Sequence, residues 1–162
     1  MAYSPKTILT LNRLIETCIN GTQGYHLAAN MVEEQQYKLL FRSIASQRTT
    51  FVHTLQNIVT QYGGEPTVRE TPMLAAAHRG WMKLRATINS QTPLVVLSEC
   101  KRGDATALAN YQNALAHPLP GEIKSIVSKQ NLAIRAVYER IHALHDVLQL
   151  NLQIQPPLLR SP

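Results

Sequence analysis

Residues 6–32 read KTILTLNRLIETCINGTQGYHLAANMV, and their pattern decides the fold class. Steps of three and four from Ile8 reach Leu11, Ile15, Cys18, Thr22, Tyr25, Ala29 and Val32. Those positions lie along one side of a helix with a period of 3.6 residues. Ser4 or Thr7 can cap its start, and Pro5 sits where a first turn tolerates proline. Gly21 and Gly24 fall inside the stripe, and each costs a helix interior about 1 kcal/mol relative to Ala. The stripe passes through both without a break, which favours close approach by a neighbouring backbone over an interruption of the helix.

The same stepping carries outward along the chain. Residues 34–62 give Tyr37, Phe41, Ile44, Arg48, Phe51, Leu55, Ile58 and Tyr62, ending at Gly63-Gly64. Only residues 32–36 separate the two stripes, a link short enough to make the helices antiparallel neighbours. A polar loop with Pro66 follows over residues 63–71. A shorter pattern over residues 72–89 runs through Leu74, Ala77, Trp81, Leu84 and Ile88 before Ser90-Gln91-Thr92-Pro93 interrupts it. Residues 94–117 carry Leu97, Cys100, Asp104, Ala107, Tyr111 and Ala114, and Pro118-Leu119-Pro120-Gly121 is a tight stop. The last pattern, over residues 122–148, holds Ile123, Val127, Gln130, Ile134, Val137, Ile141, Leu144 and Leu148. Hairpin, long crossover, hairpin is the order of an all-α, ferritin-like four-helix bundle whose crossover carries a short fifth helix. The bundle occupies residues 1–148, and residues 149–162, with Pro156-Pro157, are expected to form an extended tail.

Composition agrees with one ordinary domain. The 162 residues are long enough to close a core, and a hydrophobic fraction of 44% excludes a disordered chain. No apolar run reaches membrane-spanning length, and the start lacks a basic segment followed by a long apolar one. Two cysteines make no disulfide framework, so a reducing cytoplasm is the expected compartment. Cys18 and Cys100 both fall on core stripes and read as buried hydrophobes. The charge of +6 comes from bases spread over every helix, so nucleic-acid binding is not expected. Arg79, Lys83 and Arg85 around Trp81, with Lys101-Arg102, form its densest part. Trp81 and Met82 suit a helix laid across one face of the bundle or an oligomer interface. Leu150, Leu152, Ile154, Leu158 and Leu159 in the tail suit docking on a neighbouring subunit, so a homo-oligomer is expected.

Each long stripe carries one polar exception: Thr22, Arg48, Asp104 and Gln130. Burial of a polar group is costly unless it is paired, so four exceptions suggest one shared layer across the bundle. Glu16 and Glu99 sit beside their stripes and can turn toward that layer, with Arg48 bridging carboxylates. A ferritin-type di-metal site needs a Glu from each of two helices and Glu-x-x-His from each of the others. Gln47-Arg48-Thr49-Thr50 and Gln130-Asn131-Leu132-Ala133 stand at that depth instead, and an arginine there repels metal cations. The one Glu-x-x-His, Glu139-Arg140-Ile141-His142, flanks a core position near the bundle end, with His145 and Asp146 close by. It reads as a solvated face, with His142 and His145 a weak candidate for a surface metal.

Several segments resemble the bacterial ferritin-like four-helix-bundle domain of unknown function. They are Leu11-Asn12-Arg13-Leu14-Ile15-Glu16-Thr17-Cys18 with Gly21, Gly24-Tyr25 and Ala28-Ala29; Phe51-Val52-His53-Thr54-Leu55-Gln56 before Gly63-Gly64-Glu65-Pro66; His78-Arg79-Gly80-Trp81-Met82; and Glu99-Cys100-Lys101-Arg102-Gly103-Asp104 with Tyr111. The Leu-Pro of the last linker and Gln130 fit as well, so the similarity runs roughly over residues 9–146. It implies a ferritin-like bundle and no known activity. Members often place a His near Tyr138 and an acid near Lys101, and this chain has neither. The expectation is a non-enzymatic structural or stress-associated interaction protein with no catalytic residues, metal or cofactor. The alternative is an iron- or manganese-binding protein using Glu16, Glu99 and Asp104.

Overall fold

The computed structural model describes residues 4–68, 72–87 and 92–154. These residues form five α-helices: α1 (Pro5–Met31), α2 (Gln35–Gln61), α3 (Pro72–Thr87), α4 (Thr92–Leu115) and α5 (Gly121–Ile154). Ile88, the Ser90-Gln91 half of the interruption and the tail residues 155–162 with Leu158 and Leu159 lie outside the described residues, as do the side chains of Leu74, Ala77, Leu84 and Arg85, whereas Thr92 and Pro93, read as part of the interruption, are the first two residues of α4.

Local chemistry sets the helix ends. The Ser4 hydroxyl accepts from the Thr7 amide at 3.3 Å, with Pro5 in the first turn. At the end of α2 the Gly64 amide donates to the Val59 carbonyl at 2.9 Å and the Gly63 amide to Thr60 at 3.1 Å. This closing turn needs a left-handed residue, supplied by Gly63 at φ 76°. Gly64 is required by space: a Cβ there would sit 2.8 Å from Ile8 Cγ2 and 2.9 Å from Val59 Cγ1. Asn12 then clasps the loop, donating to the Glu65 carbonyl and accepting from the Thr67 amide, both at 2.9 Å.

Contacts fix the direction of each helix. Cys18 meets Tyr111 while Tyr25 meets Asp104, so α1 and α4 are antiparallel. Tyr111 meets Gln130 while Ser98 meets His145, so α4 and α5 are antiparallel too. The α1–α2 hairpin is antiparallel, which leaves α2 parallel to α4 and makes α3 the long crossover that returns the chain. α3 packs on α1, and Trp81 joins the core formed by Tyr25, Phe41 and Leu97.

The stripes are the core. Leu97, Cys100, Asp104, Ala107, Tyr111 and Ala114, all of the α4 stripe, are buried. Apolar packing divides into two clusters, one around Leu11, Leu55, Val127 and Ile134 and the other around Ala28, Phe41, Val96 and Ile141. Both cysteines are buried and unpaired.

Two further readings of the sequence change. Gly21 and Gly24 do mark close approach inside an unbroken helix, but side chains make it rather than backbone. A Cβ on Gly21 would lie 3.2 Å from Arg48 Cγ, and one on Gly24 would lie 3.1 Å from Trp81 Nε1. The second change is at the C-terminal end, where residues 149–154 continue α5 instead of beginning an extended tail. There Leu150, Leu152 and Ile154 alternate with Asn151 and Gln153, a period of two that hides the helix. α5 is 34 residues long against 24 to 27 for the other bundle helices. Val147, Leu150 and Ile154 share an exposed face of its last turns, with Ile154 75% exposed.

Candidate functional site

Arg48 is the largest fully buried side chain among the described residues, 1% exposed, and on α2 it lies between Ala45 of one apolar cluster and Val52 of the other. Its position on the α2 stripe forces it inward, and Gly21 makes room for its stem. One guanidinium nitrogen donates to Asp104 Oδ1 at 3.1 Å and another to Gln47 Oε1 at 2.5 Å. Tyr25 donates its hydroxyl to the other Asp104 oxygen at 2.5 Å. Both carboxylate oxygens are thus engaged in a group drawn from α1, α2 and α4. Burial raises the Asp104 carboxyl from its ordinary value of 3.8, and the Arg48 charge together with bonds from Tyr25 and Arg48 opposes that rise. Burial, then the charge of Asp104, pushes the Tyr25 hydroxyl well above its ordinary value.

Gln130, 4% exposed, belongs to a second group. It accepts from the Tyr111 hydroxyl at 2.7 Å. With that proton committed, the Cys18 thiol, 3.0 Å from the same oxygen, is the donor to Tyr111. Burial pushes the Cys18 thiol up to about 11, against the pull of its Tyr111 bond and the Arg48 charge. Burial drives the Tyr111 hydroxyl and the Cys100 thiol well upward as well.

The structure therefore sorts the sequence candidates rather than gathering them into one layer. Arg48 and Asp104 pair. Gln130 bonds with Tyr111 among the residues of the other apolar cluster. Thr22, half-buried, reaches Thr49 across the α1–α2 seam at 3.3 Å. Glu99 does not turn to Arg48, because Arg102 one turn along α4 holds it in an ion pair. Glu16 points to the far side of the α1–α4 seam, where it lines a separate cavity of about 210 Å³ with Asn113 and His117. Arg48 consequently bonds one carboxylate rather than bridging several.

Sequence reasoning missed Tyr25, Tyr111 and Gln47 as members of these groups. The signal was present for the tyrosines: both lie on core stripes, and a buried phenol needs a partner for its hydroxyl. At the bundle end Glu139 is exposed, and His142 pairs with Asp146 at 3.0 Å instead of with Glu139. His145 bonds the other Asp146 oxygen at 3.2 Å and faces Ser98. These contacts hold the Asp146 carboxyl below its ordinary value, the His145 bond being the largest cause. Among the described residues, no three His, Cys, Asp or Glu side chains converge as a metal site would require.

Beside Arg48 and Asp104 a cavity of about 350 Å³ opens between α1, α3 and α4. The ion pair forms part of its lining, with Tyr25 and Cys100 beside it, Trp81 contributed by α3, and the Glu99–Arg102 pair from α4. The space suits a small molecule held by a few polar groups in a mainly apolar enclosure. No described helix is long and apolar enough to cross a membrane. A search of curated proteins gives no match. The model of the domain of unknown function DUF2383 matches residues 6–117, which is most of the bundle and includes Arg48, Asp104, Tyr25 and Tyr111, and the chain belongs to that family.

Proposed function

We propose that the protein is a non-enzymatic, ferritin-like bundle of the bacterial cytoplasm, a structural or stress-associated interaction protein that self-associates. The observation that supports this reading is Arg48. A guanidinium fixed by Asp104 and Gln47 occupies the middle of the bundle, where a ferritin-type protein gathers carboxylates around two cations. Paired in this way the group has no net negative charge to hold a metal ion, and the nearest acids are already committed to Arg48 or Arg102. Self-association is supported by Val147, Leu150 and Ile154, an exposed apolar face on the overlong α5.

Elemental analysis of the purified protein, before and after exposure to Fe(II) and Mn(II), tests the first part. The expected result is no stoichiometric metal. About two equivalents per chain, as a ferritin-type centre holds, lost in Asp104→Ala or Glu99→Ala, would establish the metal-binding reading instead. Light scattering on a sizing column tests the second part. Leu150→Glu should lower the mass toward one chain, and an unchanged mass counts against that interface.

A further inference from the structure

Four of the seven glycines in the chain, Gly21, Gly24, Gly80 and Gly103, line the 350 Å³ cavity. All four are inside helices, where glycine is disfavoured. Packing accounts for two of them, Gly21 against Arg48 and Gly24 against Trp81. Among the described residues it does not account for Gly80 and Gly103, because a Cβ at either would meet none of them within 4 Å. No described neighbour requires glycine at either position, and both positions border the same open space.

The lining also sets the charge of what can enter. Arg48 is neutralised by Asp104 and Arg102 by Glu99. Among the described lining residues neither an anion nor a cation finds an unmatched partner, and transfer of a charge from water without one is costly. The buried ion pair nonetheless presents polar capacity. A guanidinium has five N–H donors, of which the bonds to Asp104 and Gln47 engage two, and an ionised carboxylate accepts at about four sites. The two groups are bonded to each other at 3.1 Å, so the N–H and lone-pair positions left over on each stand side by side. Their complement is a group with an adjacent acceptor and donor, which is a carboxamide edge. Trp81 and Tyr25 add aromatic surface on which a flat ring can pack.

We propose that this cavity is a binding site for an uncharged planar aromatic ligand bearing a carboxamide-like edge, its ring against Trp81 and its amide on the Arg48–Asp104 pair. This goes beyond the structural role above and does not depend on the oligomeric state. The reporter is built in, because Trp81 is the only tryptophan of the chain.

Benzamide, benzoate and benzamidine are close to isosteric and differ in charge. Each is titrated into the full chain while Trp81 fluorescence is followed, with calorimetry as a second readout. Benzamide should give a saturable change, with the two charged analogues at least about tenfold weaker because each brings an unmatched charge. Gly103→Leu places a side chain at the cavity mouth in open space and should weaken benzamide at least about tenfold while helicity and melting temperature hold, the added bulk competing for the ligand's volume. The proposal is overturned by the absence of a saturable benzamide signal, by charged analogues that bind as tightly, or by a folded Gly103→Leu variant that binds benzamide like the parent.

Discussion

Two buried polar groups interrupt the same apolar core, and they differ in charge and in access. Arg48, Asp104 and Tyr25 form a charged group beside a cavity, between the two apolar clusters. Cys18, Tyr111 and Gln130 form a neutral group within one cluster. A neutral hydrogen-bonded group loses less than an ion when it leaves water, and losing one member costs less than stranding a charge. An ion pair loses far more on burial and depends on both partners. The charged group is therefore the one that loss of a single partner harms most.

Arg48→Ala is the hardest test of that difference. It leaves Asp104 buried without its cation, and chemical denaturation should register a loss of about 3–5 kcal/mol. Arg48→Met combined with Asp104→Leu removes both charges and should recover most of that loss, ending within about 1 kcal/mol of the parent. A change below about 0.5 kcal/mol in Arg48→Ala would mean that the pair is solvated and the charged group is not a buried one.

The Cys18 thiol gives the next largest effect, on the neutral side. Burial raises it from 9.0 to about 11, so the thiolate is disfavoured in the native state. Two units correspond to about a hundredfold less thiolate at pH 8, and alkylation by iodoacetamide should slow by about that factor relative to the unfolded chain. The rate should then climb steadily as pH rises toward 11. Peptide mapping after timed labelling gives the comparison, and native Cys18 reacting within about tenfold of the unfolded rate would show the neutral group to be open. Tyr111→Phe follows, removing the donor to Gln130 and the acceptor of Cys18 for a loss of about 1–2 kcal/mol. If it matches Arg48→Ala in a urea titration, charge is not what separates the two groups.

Much of this arrangement is written in the spacing of the chain. Steps of three and four along α4 name six positions, and all six are buried, Asp104 included. The same steps identify Arg48 and Gln130 as inward-facing. What they do not convey is height. A stripe says which side of a helix faces the core, and nothing in it says which residue of a second helix stands at the same level. That is why Arg48, Asp104, Gln130 and Thr22 read as one layer when contacts divide them among Asp104, Tyr111 and Thr49. Glu99 was illegible for a different reason. A carboxylate beside a stripe can turn inward or toward its own helix surface, and Arg102 three residues on decides the matter. The cavity is harder still, since it is a property of α1, α3 and α4 together, and its only trace in the sequence is glycine where a helix does not want it.

The finest distinction between the two groups is their response to acid. The neutral group holds no carboxylate, so only Asp104 titrates below neutral pH. Its folded value is raised above 3.8 because burial outweighs the pull of Arg48 and Tyr25. In the interval between the unfolded and folded values the native protein holds more proton than the unfolded chain does, and stability falls as pH rises through it. The contribution of Asp104 is thus fully present below its unfolded value and is lost as pH climbs through the folded one. This sign is opposite to that of an exposed salt bridge, whose carboxylate is lowered and whose contribution grows with pH. Denaturation of the parent and of the Arg48→Met, Asp104→Leu variant across pH 3–6 isolates it, since the remaining carboxylates are common to both. The parent's advantage over the variant should shrink slightly as pH rises. An advantage that grows instead would mean that the Arg48 charge and the Tyr25 bond outweigh burial, and the charged group would then stabilise the fold in its ionised form.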